Sequence, residues 1–177
     1  MPVSIIPFNM PAPAEIPPHI VEALQSMPPD DAVKKAMELL MQIEAAETLV
    51  YERVNAEGVV QLQCVVGRRA AELEAILGAT SGSFAAASLA QDSALLIMGQ
   101  ASVGEENALP EGMVAFLLDG AESGSTGFNY VLPLRAESGS GLGALTLLRG
   151  AGDGPLNHEQ PNICEAMRRQ LSALLDV

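Results

Sequence analysis

The chain has 177 residues and a formal net charge of −13, from 9 basic and 22 acidic side chains. Its residues are 49% apolar and 18% charged, which suits one folded domain plus an extension and excludes wholesale disorder. So acidic a surface repels phosphate, which disfavours nucleic acid and anionic membrane as partners, and no apolar run approaches the ~20 residues a bilayer span needs.

Residues 1–18 read as an extended arm, because six prolines fall in it and each fixes its own φ and biases the residue before it. Val3, Ile5, Ile6, Phe8 and Ile16 make the arm more apolar than an ordinary linker, so it is either a loose tail or an arm docked on its own domain or a neighbour. The prolines and the lack of a basic leading region argue against a signal peptide. A short helix is expected at His19–Met27, ended by Pro28-Pro29. Asp30 or Asp31 is placed to cap the next helix, where Ala32, Val33, Ala36, Met37, Leu40 and Met41 repeat at spacings of three and four to about Ala45.

The pattern then turns to β-branched and apolar runs at Thr48–Val54 and Val59–Val66, joined by the turn signal Asn55-Ala56-Glu57-Gly58, which predicts a hairpin. Arg68–Leu77 reads as a helix with Gly78 past its end. A short helix follows at Phe84–Gln91, with Ser83 as its cap, and then a strand at Ala94–Met98. Residues 99–127 are rich in glycine and read as a long connection with one apolar piece, Met113–Leu118, whose six residues fit helix or strand equally. Phe128–Arg135 and Leu142–Arg149 form a second hairpin across Ala136–Gly141. In the closing helix Asn157 is the N-cap and Gln160 completes a capping box. Its apolar stripe is Ile163, Met167, Leu171, Leu174 and Leu175, with Arg168 and Arg169 turned away. Antiparallel hairpins flanked by helices imply an α+β fold, with helices packed on one sheet face.

Taken in order, several segments resemble a GAF domain, a sensory module of phosphodiesterases, phytochromes and bacterial regulators. They are the amphipathic helix leading into the Glu47–Gly67 hairpin; Gly82-Ser83-Phe84 before a small-residue helix and a strand; Tyr130-Val131-Leu132-Pro133-Leu134; Gly143-Ala144-Leu145-Thr146-Leu147; and Leu156-Asn157-His158-Glu159. The resemblance implies a central antiparallel sheet of five or six strands, with the N- and C-terminal helices on one face. On the other face it implies a small-molecule pocket roofed by short helices and the variable connection. The expected layout is a Pro-rich arm over 1–28 and a GAF-like domain over 29–177. The family's pocket chemistry does not carry over. The Asn-Lys…Phe…Asp-Glu signature of cyclic-nucleotide members is absent. Bilin-binding members have Cys followed by His, whereas Cys64 precedes Val65 and Cys164 precedes Glu165. No cofactor is identifiable, the ligand is left open, and no metal site is expected.

The candidate pocket lining is Phe84, Met98, Phe116, Phe128 and Tyr130, the last supplying a polar handle in an apolar cleft; the alternative is plain core packing. Gly139-Ser140-Gly141-Leu142-Gly143 has the composition of a phosphate loop, but a β-rich run follows it, so a hairpin turn is favoured. His158 stands in a helix's first turn without a nucleophile or an orienting acid, so no triad is expected. Glu105-Glu106 and Asp119/Glu122 read as solvated acidic loop rather than a cation site. Two distant cysteines, Cys64 and Cys164, make neither a disulfide framework nor a zinc knuckle and imply a reduced, cytoplasmic protein.

These readings point to a regulatory module that binds a small ligand and transmits through its terminal helices. A homodimer through helices 30–45 and 158–176 is expected; the sequence given ends just past the last helix, so output is expected to pass to an effector protein or through association or, if this is a fragment, to the part of the chain that follows. The alternative is a ligand-free scaffold for dimerisation or partner docking. An enzyme is the weakest reading, because no catalytic constellation is visible.

Overall fold

The computed structural model describes residues 3–79, 84–91, 93–99, 128–149 and 154–176. Among them lie six strands and five helices: β1 Val3–Phe8, α1 Pro18–Gln25, α2 Pro29–Gln42, β2 Thr48–Val54, β3 Val60–Gly67, α3 Ala70–Ala79, α4 Phe84–Gln91, β4 Ala94–Gly99, β5 Phe128–Arg135, β6 Gly141–Leu148 and α5 Gln160–Leu175. The sheet runs β1-β4-β5-β6-β2-β3, and each neighbouring pair is antiparallel. Most of the connection 99–127, including Phe116, Met113–Leu118 and the acidic pairs at 105–106 and 119/122, lies outside the described residues, as does Ser83.

The Pro-rich arm is not outside the fold. Its first part is β1, in register with β4 from Val3↔Gly99 to Phe8↔Ala94. Pro7 is tolerated there because an edge strand leaves alternate N–H groups unpaired in any case. Beyond Phe8 the chain runs along α5, where the Ala14 N–H donates to the Asn162 carbonyl at 2.9 Å and Asn162 Nδ2 donates to the Ala12 carbonyl at 2.8 Å.

Helix α2 begins differently from the sequence expectation. Pro28 and Pro29 start it, and no side chain caps it. Asp30 instead accepts hydrogen bonds from Tyr51 Oη at 2.7 Å and Arg53 Nη1 at 2.9 and 3.0 Å, which ties the helix to β2. The helix stops at Gln42, and Glu44, at φ 60°, turns the chain toward β2. The β2–β3 turn is as read: Asn55 Oδ1 accepts the N–H groups of Glu57 and Val59, both at 2.9 Å, and Gly58 takes φ +80°. Gly78 lies inside α3 rather than past its end. The glycine-rich run at 139–143 is hairpin turn and strand, closed by the Ala136 N–H donating to the Ser140 carbonyl at 2.8 Å. The reciprocal Asn157/Gln160 bonds form as read, with Gln160 N–H donating to Asn157 Oδ1 at 2.8 Å and Asn157 N–H to Gln160 Oε1 at 3.0 Å, but the helix itself begins later than read, at Gln160, with Glu159 rather than Asn157 at the cap position.

Each sheet face carries its own core. On one face Leu49, Tyr51, Leu132, Leu134, Leu145 and Leu147 pack against Leu24 of α1, Val33, Met37 and Leu40 of α2, and Cys164, Met167, Leu171 and Leu175 of α5. On the other face Val50, Leu95, Ile97, Val131, Ala144 and Leu148 meet Leu73 and Leu77 of α3 and Phe84, Ala85 and Ala87 of α4. The strand alternation of period two separates the two sets.

Candidate ligand-binding face

Among the buried polar side chains on the face under α3 and α4, three stand beside aliphatic ones in the middle of the sheet. They come from strands β2, β5 and β6. Glu52 shares its side with Val50, Asn129 with Val131, and Thr146 with Ala144 and Leu148; their exposures are 2%, 1% and 0%. Two of the three have a structural partner in view. A Glu52 side-chain oxygen accepts the Ala85 N–H at 3.0 Å, satisfying one of the free backbone donors in the first turn of α4. Asn129 Oδ1 accepts the Arg149 N–H at 3.1 Å, and Asn129 Nδ2 donates to the Ile97 carbonyl at 3.4 Å. Thr146 stands between Val50 and Val131 in the two flanking strands. Its Oγ1 is buried and has no hydrogen-bond partner among the described residues. Buried hydroxyls are normally paired, so this one is an exception within an otherwise apolar surface.

The five residues expected to line one pocket are not brought together. Phe84 is fully buried on the α3/α4 face. Phe128 and Tyr130 pack on the opposite face, with the terminal helices. The reason is strand parity: Val131 takes the α3/α4 side of β5, so its neighbour Tyr130 takes the other. There Tyr130 meets Phe8 edge to face at 5.1 Å between ring centroids, and its hydroxyl accepts the Leu156 N–H at 3.1 Å. Burial raises the Tyr130 pKa above its ordinary value. Met98 pairs with Phe128 through the backbone of β4 and β5. Phe116 lies outside the described residues. Nothing local in the sequence sets Glu52 or Thr146 apart; Asn129, between Phe128 and Tyr130, is the one of the three that a strand pattern signals.

The remaining chemistry-bearing groups have structural roles. Burial pushes the Cys164 thiol up to about 12 and raises that of Cys64, whose sulfur lies 3.8 Å from Met37 Sδ; both therefore stay as thiols at neutral pH. Arg149 reaches the bundle side, donating to the carbonyls of Glu44, Ala45 and Gly154 at 2.8–3.0 Å. Arg135 donates to the Gly139 and Leu89 carbonyls at 3.0 and 3.3 Å. Arg168 is not turned away: it folds back on Glu165 at 2.6 Å and donates to the Pro133 carbonyl at 3.3 Å. A cavity of about 500 Å³ opens beside Met41, Glu44, Glu47, Arg149, Asn157 and Gln160. Its Asn157 and Gln160 side chains are used in the α5 cap. Both histidines are exposed, and among the described residues no three His, Cys, Asp or Glu side chains gather as a metal ion requires. No helix among these residues is long and apolar enough to cross a membrane.

Two solved structures share this arrangement. The GAF domain/HD domain protein from Geobacter sulfurreducens superposes with a TM-score of 0.62 at 12% identity, over 85% of this chain and 93% of that one. The GAF-B domain of DevS from Mycobacterium smegmatis gives 0.52 at 16% identity, over 83% and 92%. No family model matches the sequence, and comparison with curated proteins finds no match. The likeness therefore rests on shape: six antiparallel strands, terminal helices on one face and short helices on the other.

Proposed function

Starting from a GAF-like fold, we propose that this chain is a cytoplasmic regulatory module that takes a small ligand on the α3/α4 face of its sheet. The change passes to a second copy or an effector protein through α2 and α5. One observation carries the ligand reading: the Thr146 hydroxyl, fully buried and without a partner among the described residues, in the middle of an aliphatic face flanked by Asn129 and Glu52. A hydroxyl donor or acceptor among aliphatic walls suits a compact, largely apolar ligand with one hydrogen-bonding group. A highly anionic ligand is disfavoured, because Glu52 is on this face and the two nearby arginines, 135 and 149, are bonded to carbonyls.

A ligand that binds only the folded state raises its stability. Thermal unfolding against a panel of metabolites tests the proposal, with Thr146→Val run in parallel. The expected result is a compound that raises Tm in the wild type and raises it less in the valine variant. No shift from any compound at millimolar concentration would overturn the ligand reading.

A second reading, a ligand-free scaffold, draws on the density of the same face: Val50, Leu73, Phe84, Leu95, Ile97 and Val131 are all fully buried there. It gives the converse result: no thermal shift, together with self-association through α2 and α5 seen by light scattering.

A further inference from the structure

Strand β1 is held at the sheet edge by interactions that a second copy of the chain supplies equally well. It packs chiefly on β4, and its Phe8 ring lies against Tyr130. The segment that follows forms neither helix nor strand and carries Pro11, Pro13 and Pro17. The hydrogen bonds that fasten it run to Asn162 of α5, from Ala14 and to Ala12. Nearer α1 the packing loosens: Pro13, Ala14 and Ile16 stand over Ala166, Arg169 and Gln170 across a cavity of about 300 Å³. At Pro17, immediately before α1, the backbone is extended, with φ −53° and ψ 137°. Pro17 is the cap residue of α1, its carbonyl accepting the Ile20 and Val21 N–H groups at 3.0 and 3.2 Å, and residues 15–17 lie outside any helix or strand, so a hinge there opens without unravelling a helical turn. Proline restricts the opened arm to nearly the same geometry, so opening releases little chain entropy that closing must recover. Residues 1–18 hold a single ionisable side chain, Glu15, in a chain of net charge −13. The arm is thus a part of the molecule that approaches an acidic copy with little repulsion.

We propose that two copies exchange their arms, each laying Val3–Phe8 along the β4 edge of the other, with Glu15–Pro17 as the hinge. Every contact broken within a chain is remade between chains: β1 with β4, Phe8 with Tyr130, and Ala12 and Ala14 with Asn162. The balance between closed monomer and exchanged dimer is then set by concentration and hinge strain rather than by lost contacts. This association goes beyond the bundle dimer proposed above and does not depend on it.

Ile6 and Leu96 stand opposite each other in the β1–β4 register. Directly opposed antiparallel residues have Cα atoms about 4.5–5.5 Å apart, within disulfide range. The test co-expresses full-length chains carrying Ile6→Cys and Leu96→Cys under different tags and oxidises them. Each single variant co-expressed with wild type controls for Cys64 and Cys164. The double variant, with both cysteines in one chain, is the third arm. The expected result is a disulfide-linked pair carrying both tags, absent from the controls. A double variant that closes only within its own chain, with no mixed pair, overturns the exchange. So does the absence of a disulfide in every arm, because β1 would then not lie on β4. Dimers seen by light scattering without the mixed disulfide would leave the bundle association standing and still overturn the exchange.

Discussion

A buried hydroxyl without a partner costs about 1–3 kcal/mol relative to a methyl group of the same shape, and Thr146 carries its hydroxyl between two valines. Thr146→Val in the ligand-free protein is therefore expected to raise stability by about 1 kcal/mol, read as a higher urea midpoint at unchanged slope. A lower midpoint would mean that the hydroxyl has a partner beyond the described residues. Glu165 is the converse case, a buried carboxylate with more partners than it needs. Burial alone would raise its pKa, but Arg168 at 2.6 Å and Arg169 at 2.8 Å outweigh that and hold it below the ordinary carboxylate value. The folded pKa lies below the unfolded one, so the linked stability is complete above the unfolded value of 4.5 and is lost as pH falls through the folded value. Glu165→Gln should lower stability at pH 7 by about 1–2 kcal/mol, discounted because the arginines are partly exposed, and should flatten the acid-side decline. Urea midpoints from pH 7 down to pH 3 check both. Neither residue stood out in the sequence: Thr146 passes for an ordinary β-branched strand residue, and Glu165 for one more charge on a helix.

The elements were far more legible than the site, and the difference has a physical cause. Period-two runs, the Asn55–Gly58 turn and the Asn157/Gln160 box are local signals; the hairpins formed where those signals put them, and α5 within about a turn of its expected start. The misread features depend on distant residues. Asp30 is positioned as a cap, but Tyr51 and Arg53 claim its carboxylate. Strand β1 depends on β4, some 90 positions away in the chain, and its prolines hid it. Which strand side meets α3 and α4 is a property of the assembled sheet, so Tyr130 and Phe84 could be grouped in sequence and yet be placed on opposite faces. Two glycines also divide by context. A Cβ at Gly78, inside α3, meets nothing within 4 Å, whereas one at Gly143 would run into the Glu52 carbonyl oxygen of the neighbouring strand. Gly78→Ala should therefore stabilise by about 0.5–1 kcal/mol through helix propensity. Gly143→Ala should cost about 2–4 kcal/mol or prevent folding, because backbone rather than a flexible side chain must give way. Thermal unfolding of the two variants side by side checks the contrast; equal effects would mean that β2 and β6 do not approach as closely as the structure shows.

At the scale of the whole molecule, the question is whether the two faces of the sheet are mechanically joined, since a module that binds on one face and signals from the other needs a link. The end of β5 touches helices on both faces. Arg135 reaches one way with its guanidinium, donating to the Leu89 carbonyl of α4 at 3.3 Å, and the other way with its backbone N–H, donating to Ser172 Oγ of α5 at 3.2 Å. Just beyond it the Glu137 N–H donates to Asp176 at the end of α5 at 3.0 Å, and just before it the Pro133 carbonyl accepts from Arg168. Arg135→Met removes the α4 contact and leaves the backbone N–H in place. Ser172→Ala removes the α5 contact and leaves the guanidinium in place. The two deletions share no atom pair, so if the faces were independent their effects would add within about 0.3–0.5 kcal/mol. If the β5 end transmits displacement between α4 and α5, the double variant should depart from additivity by at least about 0.5 kcal/mol, because loosening either contact already frees the segment that holds the other. Urea denaturation of wild type, both singles and the double completes the cycle. Strict additivity would rule out this segment as the link and move the search to the β2 end of the sheet, where Asp30, Tyr51 and Arg53 join α2 to the strand carrying Glu52.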